Sequence, residues 1–364
     1  MPPSPTDDPS HSTSHDFGPS LEALIHAATD NRLTDLRWFR TDWQRGGAAT
    51  AYASIAPDKP DAQTPAREAV VKVPLGPREY QLLTSLASTD APTPKIAFHG
   101  TELGSLDLAW IVMERLPGEP LRVNTPTPHK KLFAEVANAA ARFYAATDSL
   151  WPHRSRPEPW DWHELITRSR QACKENPIPE AQHWNKVLHD LQRHLDQVTR
   201  QWESREPCVW CHGDLHLNNI MRRPDDSPWL AQPDPDPVSQ ANARGSQQTT
   251  PAEQQTAGED GGGELVLIDF GEMRPGHWVE DAVYLERVYW ANPDITKKVK
   301  FVPLFAKARK ALGLPCDDDY AALAHARRLL MAACAPAWLH RENHPSYLNA
   351  ALAMIEKTLP LVLK

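Results

Sequence analysis

Nowhere in this sequence do apolar residues run for eighteen positions, the length a helix needs to cross a bilayer, so no membrane span is expected. The opening residues, MPPSPTDDPSHSTSHDFG, lack both a basic start and an apolar run, so no signal peptide is expected either. Cysteine is scarce. Cys173, Cys208, Cys211, Cys316 and Cys334 are an odd number without the spacing of a disulfide framework, which points to reduced thiols in a cytoplasm. An excess of positive charge is missing too. With 39 Lys and Arg against 47 Asp and Glu, the formal net charge is −8, which disfavours nucleic acid as a partner and makes a cationic small molecule easier to accommodate. Nothing in the sequence points to a protein partner. Glycine is sparse, 16 against 35 prolines, and the proline clusters imply long irregular connections between elements.

What is present is an ordinary globular composition, 41% hydrophobic and 24% charged, in 364 residues, enough for more than one domain. Residues 1–18, rich in Pro, Ser, Asp and His, read as a disordered leader. A short helix is expected in SLEALIHAATDNRL, behind a Ser20 cap. The runs RWFRTDW, AYASIA and EAVVKVP, interrupted by Gly46-Gly47 and a Pro- and Asp-containing turn, read as antiparallel strands. PREYQLLTSLA follows as a helix with Pro77 in its first turn, then strands around KIAFHG and LAWIVMERL. A first domain therefore covers 19–116. The second, 117–364, opens with helices over HKKLFAEVANAAARFYAATDSL and from Glu180 to about Ser204. Three short strands follow, CVWCHGD, NNIMRR and ELVLIDF, with a polar insert at about 224–263 whose composition is that of a disordered loop. About four helices complete the chain from Val279.

Two motifs carry chemistry. CVWCHGDLHLNNIM sets His212, Asp214 and Asn219 in the order H-x-D-x-x-x-x-N, and LVLIDFGE sets Asp269 before Phe270-Gly271 at the end of an apolar strand. Phosphoryl transfer from a nucleoside triphosphate needs positioning of the acceptor and divalent metal to neutralise phosphate charge. Asp214 fits the group that orients or deprotonates an acceptor hydroxyl. Asn219 and Asp269 supply the hard oxygen donors that Mg²⁺ prefers. Each motif alone is a common turn; their order, each behind an apolar strand, makes the reading specific.

In the form HGDLHxxN, the first motif resembles that of the aminoglycoside phosphotransferase and choline kinase family, the small-molecule branch of the protein-kinase-like fold. The resemblance covers roughly Leu36 to Trp290. It implies an α+β fold in two lobes, a small antiparallel sheet and a larger helical lobe, with ATP and Mg²⁺ in the cleft. It makes His212 and His216 supports of the catalytic loop and Asp281 a brace for that loop. It assigns Lys72 to the α and β phosphates and Glu79 to holding Lys72, with Glu68 as a substitute. Gly46 and Gly47 take the place of the loop over the phosphates, and the backbone from Glu114 to Leu116 that of the adenine edge.

The expected function is a kinase transferring the γ-phosphoryl group of ATP to a hydroxyl of a small acceptor. An amine on the acceptor would suit acidic walls, for which Glu280, Glu286, Asp161 and Glu164 are the candidates; solvated helix charges are the plainer account of these four. A second reading is a catalytically silent nucleotide-binding module with a regulatory role, which would be expected to lack one of Asp214, Asn219 or Asp269. All three are present. Cys208-x-x-Cys211 before His212 is half of a zinc motif without a second pair, and is set aside.

Overall fold

In the computed structural model the described residues are 17–40, 48–57, 66–123, 129–151, 154–230, 263–296, 299–338 and 344–364. The leader up to residue 16, the Gly46-Gly47 pair and most of the 224–263 insert lie outside them. The chain divides into two compact units.

The first unit comprises Met1–Ala87, Pro94–Gly118 and Arg222–Val266. It begins with the helices α1 (Phe17–Ser20) and α2 (Glu22–Ala28). Ser20 does not cap α2: its hydroxyl donates back to the Phe17 carbonyl, and Leu21 holds the cap position without a side-chain bond. The strands β1 (Leu33–Arg40), β2 (Ala49–Ile55), β3 (Arg67–Val73), β4 (Ile96–Gly100) and β5 (Trp110–Glu114) form one antiparallel sheet in the order β1-β2-β3-β5-β4. Period-2 alternation buries Ala49, Ala51, Ala53 and Ile55 of β2 with Val71 and Val73 of β3, and turns Lys72 to the other face. Helix α3 (Pro77–Leu86) starts with Pro77 at its first turn, where the missing N–H costs nothing.

The insert does not begin as a loose loop. Ser227 and Trp229 are buried, and Trp229 joins the core of the first unit, donating from Nε1 to the Glu68 carbonyl at 3.1 Å. Arg67 lies over its ring at 4.5 Å. Arg223 meets Glu114 through three bonds of 2.6–3.0 Å, with both side chains almost wholly buried. These contacts place Arg222–Val266 with the first unit, whereas composition had assigned the segment to the second. A polar insert flanked by one Trp and one Arg gave no local sign of that packing.

The second unit comprises Ser88–Thr93, Glu119–Met221 and Leu267–Lys364. Its helices are α4 (His129–Leu150), α5 (Trp162–Glu175), α6 (Ala181–Glu203), α7 (Val279–Arg287), α8 (Pro293–Thr296), α9 (Phe301–Ala311), α10 (Tyr320–Ala333) and α11 (Pro345–Val362). In α6 the buried residues are Trp184, Leu188, Leu191, Leu195, Val198 and Trp202, the three- and four-residue steps of one helix face. Helix α5 was not expected from the sequence. Its signal was an Asp161 cap, which accepts from the Glu164 amide three residues on. Short strands carry the motifs: β6 (Val209–Cys211) pairs with β9 (Arg274–Gly276), and β7 (Ile220–Arg223) with β8 (Glu264–Leu267). No helix among the described residues is long and apolar enough to cross a membrane.

Candidate active site

Strand β6 delivers the chain into the turn His212-Gly213-Asp214. Gly213 adopts φ of +86°, and a Cβ there would sit 2.1 Å from the Glu272 carbonyl oxygen, so only glycine fits. The turn is held from α7. Asp281, 1% exposed, accepts the His212 amide at 2.8 Å, the Gly213 amide at 2.9 Å and the Tyr144 hydroxyl at 2.8 Å. That is the brace expected of Asp281. Asp281→Ala would strand three donors, two of them buried. Each unsatisfied group costs about 1–3 kcal/mol, so we expect a clear fall in the urea midpoint together with loss of turnover.

His212 is fully buried. Burial lowers its pKa, and the neutral ring donates from Nε2 to the Ile268 carbonyl at 3.0 Å, leaving Nδ1 to face the Asp214 amide at 3.4 Å. It also lies 5.0 Å from Phe270, which stacks on Phe143. With both nitrogens committed to backbone, His212 orders the loop and is no proton shuttle.

Asp214 and Asn219 form one assembly. Asn219 Nδ2 donates to the Asp214 carbonyl at 2.9 Å and to its carboxylate at 3.0 Å. Tyr284 of α7 donates to the other carboxylate oxygen at 2.5 Å, and His216 Nε2 lies 3.4 Å from the first. Sequence reasoning missed Tyr284, which sits a full turn past the brace with no motif of its own. Burial by itself pushes the Asp214 carboxyl up, but the bonds from His216, Tyr284 and Asn219 and the charge of His216 outweigh it and bring the pKa down to about 2. The same contact, after burial, pushes Tyr284 up to about 12.

Asp269 is brought alongside. The Ile268 amide donates to the Asn219 carbonyl at 2.9 Å, so the residue before Asp269 is bonded to Asn219 itself. Asp269 holds φ of +64°, a left-handed conformation that Asp tolerates better than most residues.

In the first unit, Lys72 Nζ and Glu79 Oε1 are 2.5 Å apart, so the strand–turn–helix is long enough to bring them together. Glu68 is engaged instead by Arg115 and by the Ser54 hydroxyl. Glu114 is a packing residue: its carboxylate belongs to Arg223 and its amide donates to the Lys95 carbonyl at 2.7 Å. The Arg115 amide donates to Glu68, which leaves Leu116 as the residue of this segment with an unengaged amide among the described residues.

A cavity of about 540 Å³ opens beside Asp214 within the second unit. The acidic wall is not assembled there. Glu280 is buried against Arg205 and Arg274, Asp161 caps α5 with the Glu164 amide, and Glu286 pairs with Arg328. Of the cysteines near the motif, Cys211 is buried and its thiol is pushed up by burial, and Cys208 is half-buried.

No curated protein matches the sequence. Among solved structures, an aminoglycoside phosphotransferase from Alicyclobacillus acidocaldarius is 15% identical, with 94% of each chain covered and a TM-score of 0.50. A microcompartment-associated aminopropanol kinase is 14% identical, with 95% of this chain and 98% of the other covered and a TM-score of 0.54. These likenesses show the fold, that of the protein-kinase-like phosphotransferases. The model of the phosphotransferase enzyme family, APH, matches residues 33–231. That span is more than half of the chain and includes Lys72, Glu79, Asp214 and Asn219; the protein belongs to the phosphotransferase enzyme family.

Proposed function

We propose that this protein transfers the γ-phosphoryl group of ATP to a hydroxyl of a small-molecule acceptor. The observation that carries the reading is the joined assembly of Asp214 and Asn219, bonded through the Asn219 carbonyl to the residue before Asp269. Its donor chemistry fits Mg²⁺. The Asn219 amide nitrogen is spent on Asp214, which leaves its side-chain oxygen as a neutral hard donor, to be joined at the metal by the carboxylate of Asp269. A bound Mg²⁺ would neutralise charge on the phosphates.

Asp214 accepts the hydrogen bond of the acceptor hydroxyl and aims its oxygen at phosphorus. Held near a pKa of about 2, it is too weak a base to remove that proton beforehand. It takes the proton as the new P–O bond forms. Lys72, steadied by Glu79, contacts the α and β phosphates, and the Leu116 amide is the donor offered to the adenine edge.

Purified protein with ATP and Mg²⁺, screened for ADP release against small alcohols and amino alcohols, tests the reading. Acceptor-dependent release is expected from the wild type. Lys72→Met removes a charge-assisted contact worth about 1.5–3 kcal/mol, so kcat/KM for ATP should fall by about 10- to 100-fold. ADP release that no acceptor stimulates would overturn the assignment.

A further inference from the structure

The cavity beside Asp214 has a polarity at odds with a cationic acceptor. Three guanidinium groups line it, Arg274, Arg287 and Arg327, against the carboxylates of Asp214 and Glu272. The Asp214 carboxylate is already engaged by Tyr284, His216 and Asn219.

Two of the arginines have partners. Arg274 donates to Glu280 at 3.1 Å and to the Glu272 carbonyl at 3.3 Å, and Arg287 lies over the Tyr284 ring at 4.8 Å. Arg327 differs. It is 4% exposed, yet it makes no hydrogen bond or ion pair among the described residues. Its guanidinium carbon stands 5.0 Å from the Trp202 ring, 5.5 Å from Trp160 and 5.8 Å from Trp162. Ring faces attract the cation without accepting its N–H bonds, so five donors are left over. Its counter-charge comes from Glu280, whose oxygens are bonded by other donors: Oε1 accepts from the His277 amide and Arg205, and Oε2 from Arg274. Burial lowers the pKa of Arg327 to about 10, which leaves it cationic at neutral pH. A buried cation whose N–H groups find no acceptor is unfavourable even with a carboxylate nearby, and a site that keeps one has a use for it.

We propose that this cavity selects an acceptor carrying an anionic oxyacid group, a carboxylate or a phosphate ester, which Arg327 receives with Arg274 and Arg287 beside it. Trp160, Met331 and Trp338 supply the apolar wall for the rest of the molecule. The inference rests on the kinase reading above, in that the anion is the handle that presents a hydroxyl to Asp214. It replaces the amine-bearing acceptor suggested by net charge and by the acidic helix residues, because neither the overall balance of the chain nor a helix position says which charges line one cavity.

Binding separates it from catalysis. Isothermal titration of the intact protein would use matched aliphatic and aromatic sets: a hydroxy acid, its amide, the corresponding amino alcohol and the corresponding phosphate monoester. The anionic members of at least one set should bind about tenfold or more tightly than the amide, and the carboxylate and phosphate arms identify which anion is preferred. In Arg327→Gln that ratio should fall to about one, and Arg327→Lys should restore part of it; a merely structural arginine would change the melting temperature and leave the ratio alone. Should Arg327→Gln fail to fold, Arg287→Gln provides the same comparison and should reduce the ratio. The proposal is overturned if no anionic member outbinds its amide, or if the preference survives in these variants. A preference for anions without ADP release from any set would instead count against the kinase reading.

Discussion

Asp214→Asn should lower kcat by about 10²–10⁴-fold, the range for loss of a positioned acid–base group, while binding of ADP stays within a few-fold of wild type. The substitution keeps the size of the side chain. An asparagine oxygen can still accept from Tyr284, so the loop is expected to remain in place. What is lost is the anion that aligns the acceptor hydroxyl and takes its proton. The pH dependence sharpens the test. Because the folded pKa is about 2, below the ordinary 3.8, this carboxylate contributes stability fully above 3.8 and loses it as pH falls toward 2. Asp214 is therefore ionised throughout the neutral range, and any acid limb near neutrality belongs to another group. A coupled ADP-release assay across pH, with calorimetry of ADP binding, checks both parts. Residual kcat above about a tenth of wild type would sink the assignment of Asp214.

Arg223→Met should destabilise the protein by about 3–5 kcal/mol, as does breaking a buried ion pair from one side. Glu114 has no exposure to fall back on: its side chain is 0% exposed, and Arg223 supplies three of its bonds, with the Lys95 amide and the Ser227 hydroxyl completing the set. Removing the guanidinium leaves a desolvated carboxylate with neutral donors only. Glu114→Gln combined with Arg223→Met should recover part of the loss, since the charge is gone, the amide oxygen can still accept from the Lys95 N–H and the amide NH2 can donate to the Ser227 hydroxyl. Urea unfolding followed by tryptophan fluorescence measures both, Trp229 and Trp110 being in the core of the same unit. A loss below about 1 kcal/mol for Arg223→Met would mean that the pair behaves as a solvated one.

The site residues were legible to the extent that their chemistry is local. Asp214 and Asn219 share one loop, and the apolar strand before Asp269 marked the second motif. Lys72 and Glu79 could be named because the family resemblance calls for such a pair and the sequence offers one on a predicted strand and the other at the helix start after it. Tyr284 and Arg327 could not. Each sits on a helix whose buried face reads as packing, and neither belongs to a pattern that distinguishes an inward-facing polar group from a solvated one.

What the sequence by itself determined was the antiparallel sheet, the helix faces, the phosphoryl-transfer motifs and the order in which they occur. These depend on periodicity and on a few residues of fixed spacing. Only the tertiary structure decided that Trp229 and Arg223 pin the start of the polar insert to the sheet, that Glu114 is occupied by packing, and that arginines surround the cavity at Asp214. Those outcomes depend on contacts between residues far apart in the chain, where burial sets which charges are hydrogen-bonded and which are not. The 540 Å³ cavity is therefore a property of the packed helices, and an Arg327 left there without a hydrogen bond among the described residues is visible only once they are packed.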